Sequence, residues 1–587
     1  MFLGTRCRSL RSRSGSRRLF RLGLVGVLAL TLAQGASAQT APLTTSPIER
    51  ALPEQQPRPV PPLVPTPAPA APEAQAGPPV AVQAVDVEGA TVYPAGALEP
   101  YYAGIVGKTV PLGQVSAVIQ EIQTKYRNDG YVLTVVRGTI EPVNGRSTLR
   151  IRVIEGFISD VKIDGDIGPA GVLVYSFLNR LTGIRPVNIS DIERALLLAQ
   201  DVPGVSVRAV LRPGAGEAGA VELVGQVGRK PFGGFLQYDN RASNFAGPNE
   251  LLVGGYANSF TSAGERTEII LYDTPFNKEQ MFGQAAIEGF IGSSGLKART
   301  YAGYGPSEPG GPLAQAGFRS RLLLAGASTS YPLIRTRPLS LALSLAFDVS
   351  RAEISTISPD GGRHRSSISD LRILRLGETL DSQDQTAGTG LIGANSVNLT
   401  LHKGLDVGGA MSDARIGNVV DFFKLTGEVT RVQNLFGFGN NLVALKLAAG
   451  GQYTPDILPP NEEYFLGGTK FGRGFFSGEV IGDRALGTTA ELQLNIPQIF
   501  AGAPGPRFPV NVALQPYVFY DRGWTWNLAP GDLNARIESA GVGVRVSITP
   551  QITLELEGDR RFTRRPTGAN VSPLSPYAGF VTLIARF

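Results

Sequence analysis

The stretch LSLALSLAF, residues 339–347, alternates between two kinds of side chain along its whole length. Leucine and phenylalanine occupy one face and serine and alanine the other, because successive side chains of a β-strand point to opposite faces. The same alternation recurs in later segments: 396–404, 422–433, 442–453, 489–496, 540–548 and 552–559. It predicts a series of strands with one apolar face and one polar or small face.

The region after residue 230 shows no helical periodicity. Alternating stretches of about ten residues are separated by clusters of Gly, Asn, Asp, Ser and Pro, as in a transmembrane barrel. A soluble sandwich would divide into domains well before roughly 355 residues of strand. We count about eleven strands before residue 454 and about five after residue 488, and about sixteen strands leave an aqueous lumen. The sequence therefore predicts a mainly β fold, with an outer-membrane β-barrel over residues 230–587 that ends in the strand GFVTLIARF.

The preceding region, residues 81–229, combines strand alternation with helical spacing. Residues 81–156 predict one strand, two helices and two further strands, and the second helix places Val115, Val118 and Ile122 on one face. The same order recurs over residues 157–229. These patterns predict two tandem α+β domains of roughly 75 residues, each of a size that folds alone.

The first 38 residues have the composition of a secretory signal peptide. They carry seven arginines and no acidic residue, followed by the apolar run LGLVGVLALTLA and the small residues ASA. Without these arginines the formal charge changes from +6 to −1, so the basic character of the chain does not indicate a nucleic-acid partner. Residues 39–80 are rich in Pro and Ala and predict a semi-rigid linker.

Few residues of this chain are suited to catalysis or to metal binding. The only cysteine, Cys7, lies in the predicted signal peptide, so the mature chain would form no disulfide. The only histidines are His364 and His402, which excludes a site built from several histidines and favours incidental loop or lumen positions for both. No Ser-His-Asp set or pair of catalytic carboxylates stands out, so we expect neither an enzyme nor a cofactor or metal.

A glycine-rich segment, FGRGFFSGEVIGDR (471–484), interrupts the strands between residues 454 and 488. It places Arg473 between Gly472 and Gly474, and the later segment FYDRG (519–523) offers Asp521. A buried arginine requires a carboxylate in fork geometry, so we predict that the loop folds into the lumen and pairs with this aspartate. The spacing alone leaves a second interpretation open, in which the loop is a solvated surface turn with an unpaired arginine.

This order of segments resembles the transporter component of two-partner, or type V, secretion. That component is the hemolysin secretion/activation family, within the superfamily of outer-membrane barrel-assembly insertases. In it the small domains are polypeptide-transport-associated (POTRA) domains, here POTRA 1 (81–156) and POTRA 2 (157–229). The resemblance is carried near the predicted domain junction by four residues: Gly130, Tyr131, Glu155 and Gly156.

The same resemblance assigns roles to residues of the loop and of the barrel wall. The loop motif of the family, an arginine, a glycine and an aromatic residue, matches Arg473, Gly474 and Phe475. The wall motif matches Phe519 to Gly523, with Asp521 as the acid and Gly523 as its last residue. The terminal residue, Phe587, is similar to the C-terminal signature of such barrels.

The resemblance also implies a function and a set of partners. It implies an outer-membrane pore whose periplasmic POTRA domains recruit an unfolded exoprotein, β-helical once folded, for export through the barrel. Outer-membrane lipid and the barrel-assembly machinery would be the other partners, with no nucleic acid. Two alternatives remain: an insertase for other barrels, which usually carries more POTRA domains, and a passive porin, which should carry none.

Two features depart from the family pattern. Gly472 stands where the family usually has a bulky residue before the arginine, which makes the local packing of the loop a question for the structure. The family also has an N-terminal helix that plugs the pore. The only candidate in this chain, around residues 46–56, is short and interrupted by Pro53, which argues against such a plug.

Overall fold

The fold was analysed in a computed structural model of the chain. The structure describes residues 45–51, 77–143, 146–243, 245–277, 279–358, 360–385, 391–501, 511–568 and 572–587. The predicted signal peptide and most of the predicted linker lie outside these residues. Within them, no helix is both long and apolar enough to span a membrane.

The first α/β unit follows a short isolated helix, α1 (Pro47–Ala51). Its elements are β1 (Pro79–Val82), β2 (Ala84–Glu88), α2 (Glu99–Tyr102), β3 (Lys108–Pro111), α3 (Leu112–Asn128), β4 (Val135–Val143) and β5 (Arg146–Ile154). The main sheet has the order β2-β5-β4, and Val115, Val118, Ile122 and Tyr126 of α3 are buried in its core. The two-stranded β1–β3 sheet was not predicted, because each of its strands is only four residues long.

The second α/β unit repeats this plan. Its elements are β6 (Phe157–Asp164), α4 (Ala170–Asn179), α5 (Ile189–Gln200), β7 (Val205–Pro213) and β8 (Ala220–Arg229), with the sheet order β6-β8-β7. Helix α5 begins where Asn188 and Asp191 form a capping box, which satisfies the free backbone amides of the first turn. The predicted order of one strand, two helices and two strands is confirmed in the second unit, whereas the first unit adds β1 and β3 to that order.

The barrel occupies the rest of the chain. Its elements are β9 (Phe232–Asp239), β10 (Glu250–Asn258), β11 (Arg266–Asp273), β12 (Met281–Phe290), β13 (Lys297–Ser307), α6 (Gly311–Gln315), β14 (Arg319–Arg335), β15 (Leu339–Ile357), β16 (Arg363–Gln385), β17 (Ile392–Gly404), β18 (Met411–Ser412), β19 (Phe423–Phe438), β20 (Asn441–Tyr453), β21 (Tyr464–Leu466), β22 (Val480–Gly482), β23 (Arg484–Ala501), β24 (Asn511–Trp526), β25 (Ala535–Ser547), β26 (Ile552–Arg561) and β27 (Tyr577–Arg586). Apart from the short β18, β21 and β22, the strands close antiparallel into one barrel through pairing of β27 with β9. Eleven long strands precede residue 454 and five follow it, so the predicted sixteen-stranded barrel is confirmed.

The alternation at residues 339–347 gives the wall its two faces. In β15, Leu343, Leu345 and Phe347 are exposed on the outer face, where lipid would cover them. Some strands greatly exceed the predicted ten residues, and β16 has 23. Such a strand extends well beyond the ~30 Å hydrocarbon core, and its ends lie outside the region in which lipid imposes the alternation.

The second α/β unit contacts the barrel at its periplasmic turns. Asp201, after α5, accepts two hydrogen bonds from Arg335 at 2.6 and 2.9 Å. Phe177 of α4 packs edge-on against Phe290 of β12, with ring centroids 5.4 Å apart. The unit that precedes the barrel is therefore packed against it by both charged and apolar contacts.

We predict different solubility for the two parts of the chain. A fragment of residues 80–230 should be soluble without detergent and show a mixed α/β circular dichroism spectrum, because each of its units has its own core. The mature protein folded in detergent should show a spectrum dominated by β-structure. A fragment of residues 231–587 that stayed soluble and monomeric without detergent would contradict the barrel, because its outer face is apolar.

Candidate functional site

The loop between β20 and β23, residues 454–483, is folded into the barrel. It carries the β21–β22 hairpin, and Phe471, Arg473 and Phe475 near its tip are all buried. The predicted loop ended at residue 488, but β23 begins at Arg484 because its ladder with β20 and β24 extends back to this end of the strand. The prediction that the segment folds inward agrees with the structure.

The turn at the loop tip depends on Gly472. Its φ angle is +80°, in the region that side chains rarely adopt, and a Cβ atom there would overlap the side chain of Ile537 on β25. The amide of Phe475 donates to the Gly472 carbonyl at 2.9 Å and closes the turn. The absence of a bulky residue at this position thus fits the way the loop packs against the wall.

Arg473 and Asp521 form a buried bidentate pair. The Nε and Nη2 atoms of Arg473 each donate to one carboxylate oxygen of Asp521 at 3.0 Å, and the backbone amide of Arg473 donates to the same carboxylate at 2.8 Å. Asp521 is fully buried, and the guanidinium lies over the Phe519 ring, 3.7 Å from its centroid. The interpretation as a solvated turn with an unpaired arginine was wrong.

Two further wall residues complete the environment of Arg473. Its Nη1 atom donates to Glu491 and its Nη2 atom donates to Thr489 at 2.9 Å, both on β23. Burial acts to lower the pKa of Arg473, but the charges of Asp521 and Glu491 raise it well above its ordinary value. Sequence reasoning missed Glu491, although a charged residue on the inward face of TAELQLNI was a signal for it.

The backbone of the loop tip is also held by charged side chains. Arg241, in the segment after β9, donates to the Arg473 carbonyl at 3.0 Å, and Arg561 at the end of β26 donates to the Gly474 carbonyl. The amide of Gly474 donates to the Ser539 hydroxyl at 3.3 Å. These anchors were not predicted, because they lie far from the loop in sequence.

Apolar packing supports the polar contacts of the loop. The side chain of Phe475 is fully buried in a cluster with Leu466, Phe471 and Ile537. Gly523 lies on β24 beside Leu466 and Ile537, and the absence of a side chain there lets the hairpin approach the wall. The structure thus brings the six predicted loop and wall residues to one place.

A second ion-pair centre holds the base of the same loop. Asp483 is fully buried and accepts from Arg415 at 2.7 and 3.0 Å and from the Leu458 and Leu528 amides at 2.8 and 2.7 Å. Burial raises the pKa of Glu463, which also contacts Arg415, to about 8. Asp532, in the loop after β24, also accepts from Arg415 at 2.9 Å, so this centre joins three loops at one end of the barrel.

The short helix α1 lies in the lumen. Ile48 and Ala51 are buried against the inward residues Leu252 and Ile270, and the Ala51 carbonyl accepts from Gln237 at 2.7 Å. A cavity of about 280 Å³ separates the helix from the loop and from β17 and β19. The sequence argued against a plug, but the described part of the candidate segment, residues 45–51, does place a helical turn inside the barrel.

His402 also faces the lumen. It is buried on β17, where its Nδ1 accepts from Arg375 at 3.0 Å and its Nε2 lies 3.0 Å from the Thr426 hydroxyl. His364 lies near the start of β16, next to an extracellular loop. The two histidines are therefore on different parts of the wall, and no metal-binding group of His, Cys, Asp and Glu occurs among the described residues.

The predicted POTRA residues lie where the two α/β units meet. Gly130 has a φ angle of +92°, and its carbonyl accepts from the amide of Ile189 in the second unit at 2.9 Å. The Glu155 carboxylate accepts from the Thr91 amide at 2.8 Å and from the Tyr126 hydroxyl at 2.9 Å. Gly156 and Tyr131 flank these contacts. These residues fix the junction and do not contact the loop.

The terminal residue, Phe587, follows β27. Its backbone exchanges two hydrogen bonds with Gly234 on β9, at 2.9 and 3.0 Å, while its ring is mostly exposed on the outer surface. It therefore lies where the last strand meets the first.

Two family models match parts of the chain. The model for the POTRA domain, ShlB-type, matches residues 80–156. The model for the haemolysin secretion/activation protein ShlB/FhaC/HecB matches residues 383–546, which include the loop and the β24 aspartate.

The similar proteins include curated relatives and solved structures. The heme/hemopexin transporter protein HuxB of Haemophilus influenzae (strain 86-028NP) is 25% identical over 255 residues, 41% of this chain and 43% of the relative, so the match spans less than half of that protein. CdiB from Escherichia coli superposes with a TM-score of 0.68 at 17% identity, over 99% of this chain and 100% of CdiB. CdiB from Acinetobacter baumannii gives a TM-score of 0.58 at 15% identity, over 91% and 94%.

The fold and the comparisons agree with one another. The structural likeness supports the architecture of a barrel preceded by small α/β units. One family model matches the first α/β unit, and the other matches part of the barrel. The likeness to the haemolysin secretion/activation family is thus carried by the first α/β unit, residues 80–156, and by the part of the barrel from residue 383 to residue 546.

Proposed function

We propose that this protein is an outer-membrane translocation pore that recruits an unfolded exoprotein with its periplasmic POTRA domains and exports it through the barrel. The observation that carries the proposal is the loop folded into a closed sixteen-stranded barrel and held there by a buried ion pair. A barrel that serves only as a permanently open pore would not require such a loop. A pore that must stay sealed at rest and admit a polypeptide needs an internal element that can leave the lumen.

Two internal segments occupy the lumen in the state described by the structure. The loop contacts the wall around β20 and β23 to β26, and α1 contacts the wall around β9 to β15. A cavity of about 280 Å³ lies between them and is lined by residues of both, among them Glu49 of α1 and Lys470 of the loop. Transport therefore requires at least one of the two segments to move. The ion pair that holds the loop can separate once water enters the site, because water weakens the attraction between the charges.

The POTRA domains supply backbone edges for recruitment. Strand β2 is at the edge of the first main sheet and β6 at the edge of the second, so each leaves one row of backbone groups free to pair with an extended chain. A groove of about 570 Å³ at the junction is lined by residues of both domains, among them Glu88, Arg152 and Arg185. Pairing through the main chain accepts many sequences, which suits an unfolded exoprotein that becomes β-helical outside the cell.

The other partners follow from the architecture. Outer-membrane lipid would cover the apolar outer face, and the barrel-assembly machinery would insert the barrel. We assign no enzymatic activity to the chain, because moving a polypeptide makes and breaks no covalent bond. Of the two alternative functions, a passive porin does not explain the POTRA domains, and an insertase usually carries more of them than the two found here.

We predict that the ion pair is required for export. Arg473→Ala and Asp521→Ala should each reduce secretion of the cognate exoprotein at least about tenfold, because breaking a buried pair costs ~3–5 kcal/mol and frees the loop. Arg473→Lys should restore little, since lysine lacks the planar fork. The measurement is the exoprotein in the culture medium, with barrel insertion checked by heat-modifiable migration in gels.

Two comparisons make this measurement specific. Lys470→Ala is a matched control. Lys470 lies in the same loop and pairs with Glu428 on β19, but its side chain is 45% exposed, so the substitution should leave secretion unchanged. The double variant Arg473→Ala/Asp521→Ala should be little worse than either single one, as expected for residues that act as a unit. Secretion losses that multiply would show that the two residues act separately.

The POTRA 1 domain provides a second prediction. Deleting residues 82–155 should abolish export, because it removes the β2 edge and one side of the junction groove, while the barrel still inserts. The measurement is again secretion of the exoprotein, together with detection of the heat-modifiable barrel in the outer membrane. Unchanged secretion would contradict a recruiting role for POTRA 1 and would favour the passive porin.

A further inference from the structure

The contact between the first and last strands is the shortest between neighbouring long strands of the barrel wall. Strands β9 and β27 are in register over five residue pairs, from Phe235↔Arg586 to Asp239↔Thr582, and two further backbone hydrogen bonds join Gly234 to Phe587. By contrast, β9 pairs with β10 over eight positions, and β26 pairs with β27 over nine. The β9–β27 contact, which we call the seam, therefore has the fewest backbone hydrogen bonds to hold it closed.

Side chains extend the seam beyond the end of its backbone ladder. Asn240, the residue after β9, donates from Nδ2 to the Gly579 carbonyl at 3.1 Å. Its Oδ1 accepts from the Val581 amide at 2.8 Å. The amide group of Asn240 thus replaces a backbone peptide opposite β27 and continues the pairing by one step.

The next residue, Arg241, links the seam to the loop. Its side chain is only 4% exposed and pairs with Glu557 on β26, with the Nη2–Oε1 distance at 2.7 Å. The guanidinium lies over the Phe580 ring of β27, 4.3 Å from the centroid. Its Nη1 atom donates to the Arg473 carbonyl at 3.0 Å, and its own carbonyl accepts from Ser477 in the loop at 2.8 Å.

We propose that Arg241 is a positioning residue that couples docking of the loop to closure of the seam. The carbonyl of Arg473 reaches Arg241 only while the Arg473 side chain holds the loop tip on the wall. When the loop leaves, Arg241 loses this acceptor and the contact with Ser477, and one side of the seam loses its support. Withdrawal of the loop would then loosen the contact between the first and last strands.

The use of this coupling in transport rests on the proposed function, but the coupling itself is a property of the barrel. A loosened seam would let the wall widen as the loop leaves, so that a polypeptide meets a larger lumen. The coupling can be measured on the purified mature protein without any exoprotein. A failure of the coupling is therefore distinguishable from a failure of the secretion proposal.

The test is hydrogen–deuterium exchange of the full-length mature protein folded in detergent. The variants are Arg241→Gln, Arg473→Ala and the double variant, each checked for heat-modifiable migration. In each single variant, amides of segments 235–239 and 582–586 should exchange at least about tenfold faster than in the wild type, since hydrogen bonds to a charged group are lost. The double variant should exchange no faster than Arg241→Gln alone, because the loop acts on the seam through Arg241.

Arg561→Gln is the matched control. Arg561 also donates to a loop-tip carbonyl, that of Gly474, but none of its described contacts reaches β9. This variant should raise exchange only around Gly474 and leave the seam at the wild-type rate, because Arg473 still holds the loop tip on the wall and Arg241 keeps its acceptor. If Arg241→Gln fails to fold because Glu557 is left unpaired, Arg241→Gln/Glu557→Gln removes both charges and should show the same faster seam exchange.

Two results would overturn the proposal. In the first, Arg241→Gln raises exchange in the loop but leaves the seam unchanged, so that Arg241 serves only as a loop anchor. In the second, Arg473→Ala adds a further increase in seam exchange on top of Arg241→Gln. The loop and the seam would then be connected through other residues or would respond independently.

Discussion

A single buried ion pair, between Arg473 and Asp521, decides what fills this barrel. Both groups are taken out of bulk water, and such a pair is favourable only when its geometry is good and the remaining donors are satisfied. The fork of the guanidinium meets the carboxylate with two hydrogen bonds of 3.0 Å, and Thr489 and Glu491 accept the remaining donors. This arrangement gives the docked loop a single conformation. The strength of the ion pair, however, depends on the exclusion of water from the site.

Other contacts of the loop depend on that pair. With Arg473 in place, the carbonyls of the loop tip face Arg241 and Arg561, and Phe475 reaches its cluster under the hairpin. The base of the loop is held separately, by the hydrogen bonds that Arg415 donates to the Asp483 carboxylate. The tip can therefore leave the wall while the base stays attached, which is the geometry expected of a tethered gate.

The repeated alternation of apolar and polar residues was enough to predict the barrel and its sixteen long strands, because lipid imposes that period on a membrane wall. The pairing of Arg473 was also predictable, since a glycine-flanked arginine and an aspartate among aromatics form an unusual combination. Arg241 and Glu491 were not predictable as partners, because closing the barrel brings together residues that are distant in sequence. The segment that contains α1 was named as the only plug candidate, but its place in the lumen was not predictable, because one turn of five residues carries almost no periodicity and the lumen wall stabilises it.

The most direct test of the account is to locate the exoprotein during its export. A photo-crosslinking amino acid is placed at Thr426, which lines the lumen cavity, or at the neighbouring Leu425, which is exposed on the outer face of β19. With an exoprotein stalled by a folded domain at its trailing end, the account predicts crosslinks to the exoprotein from position 426 and none from position 425. Crosslinks absent at position 426 while the exoprotein is still exported would show that the polypeptide does not pass through the lumen, and would contradict the account.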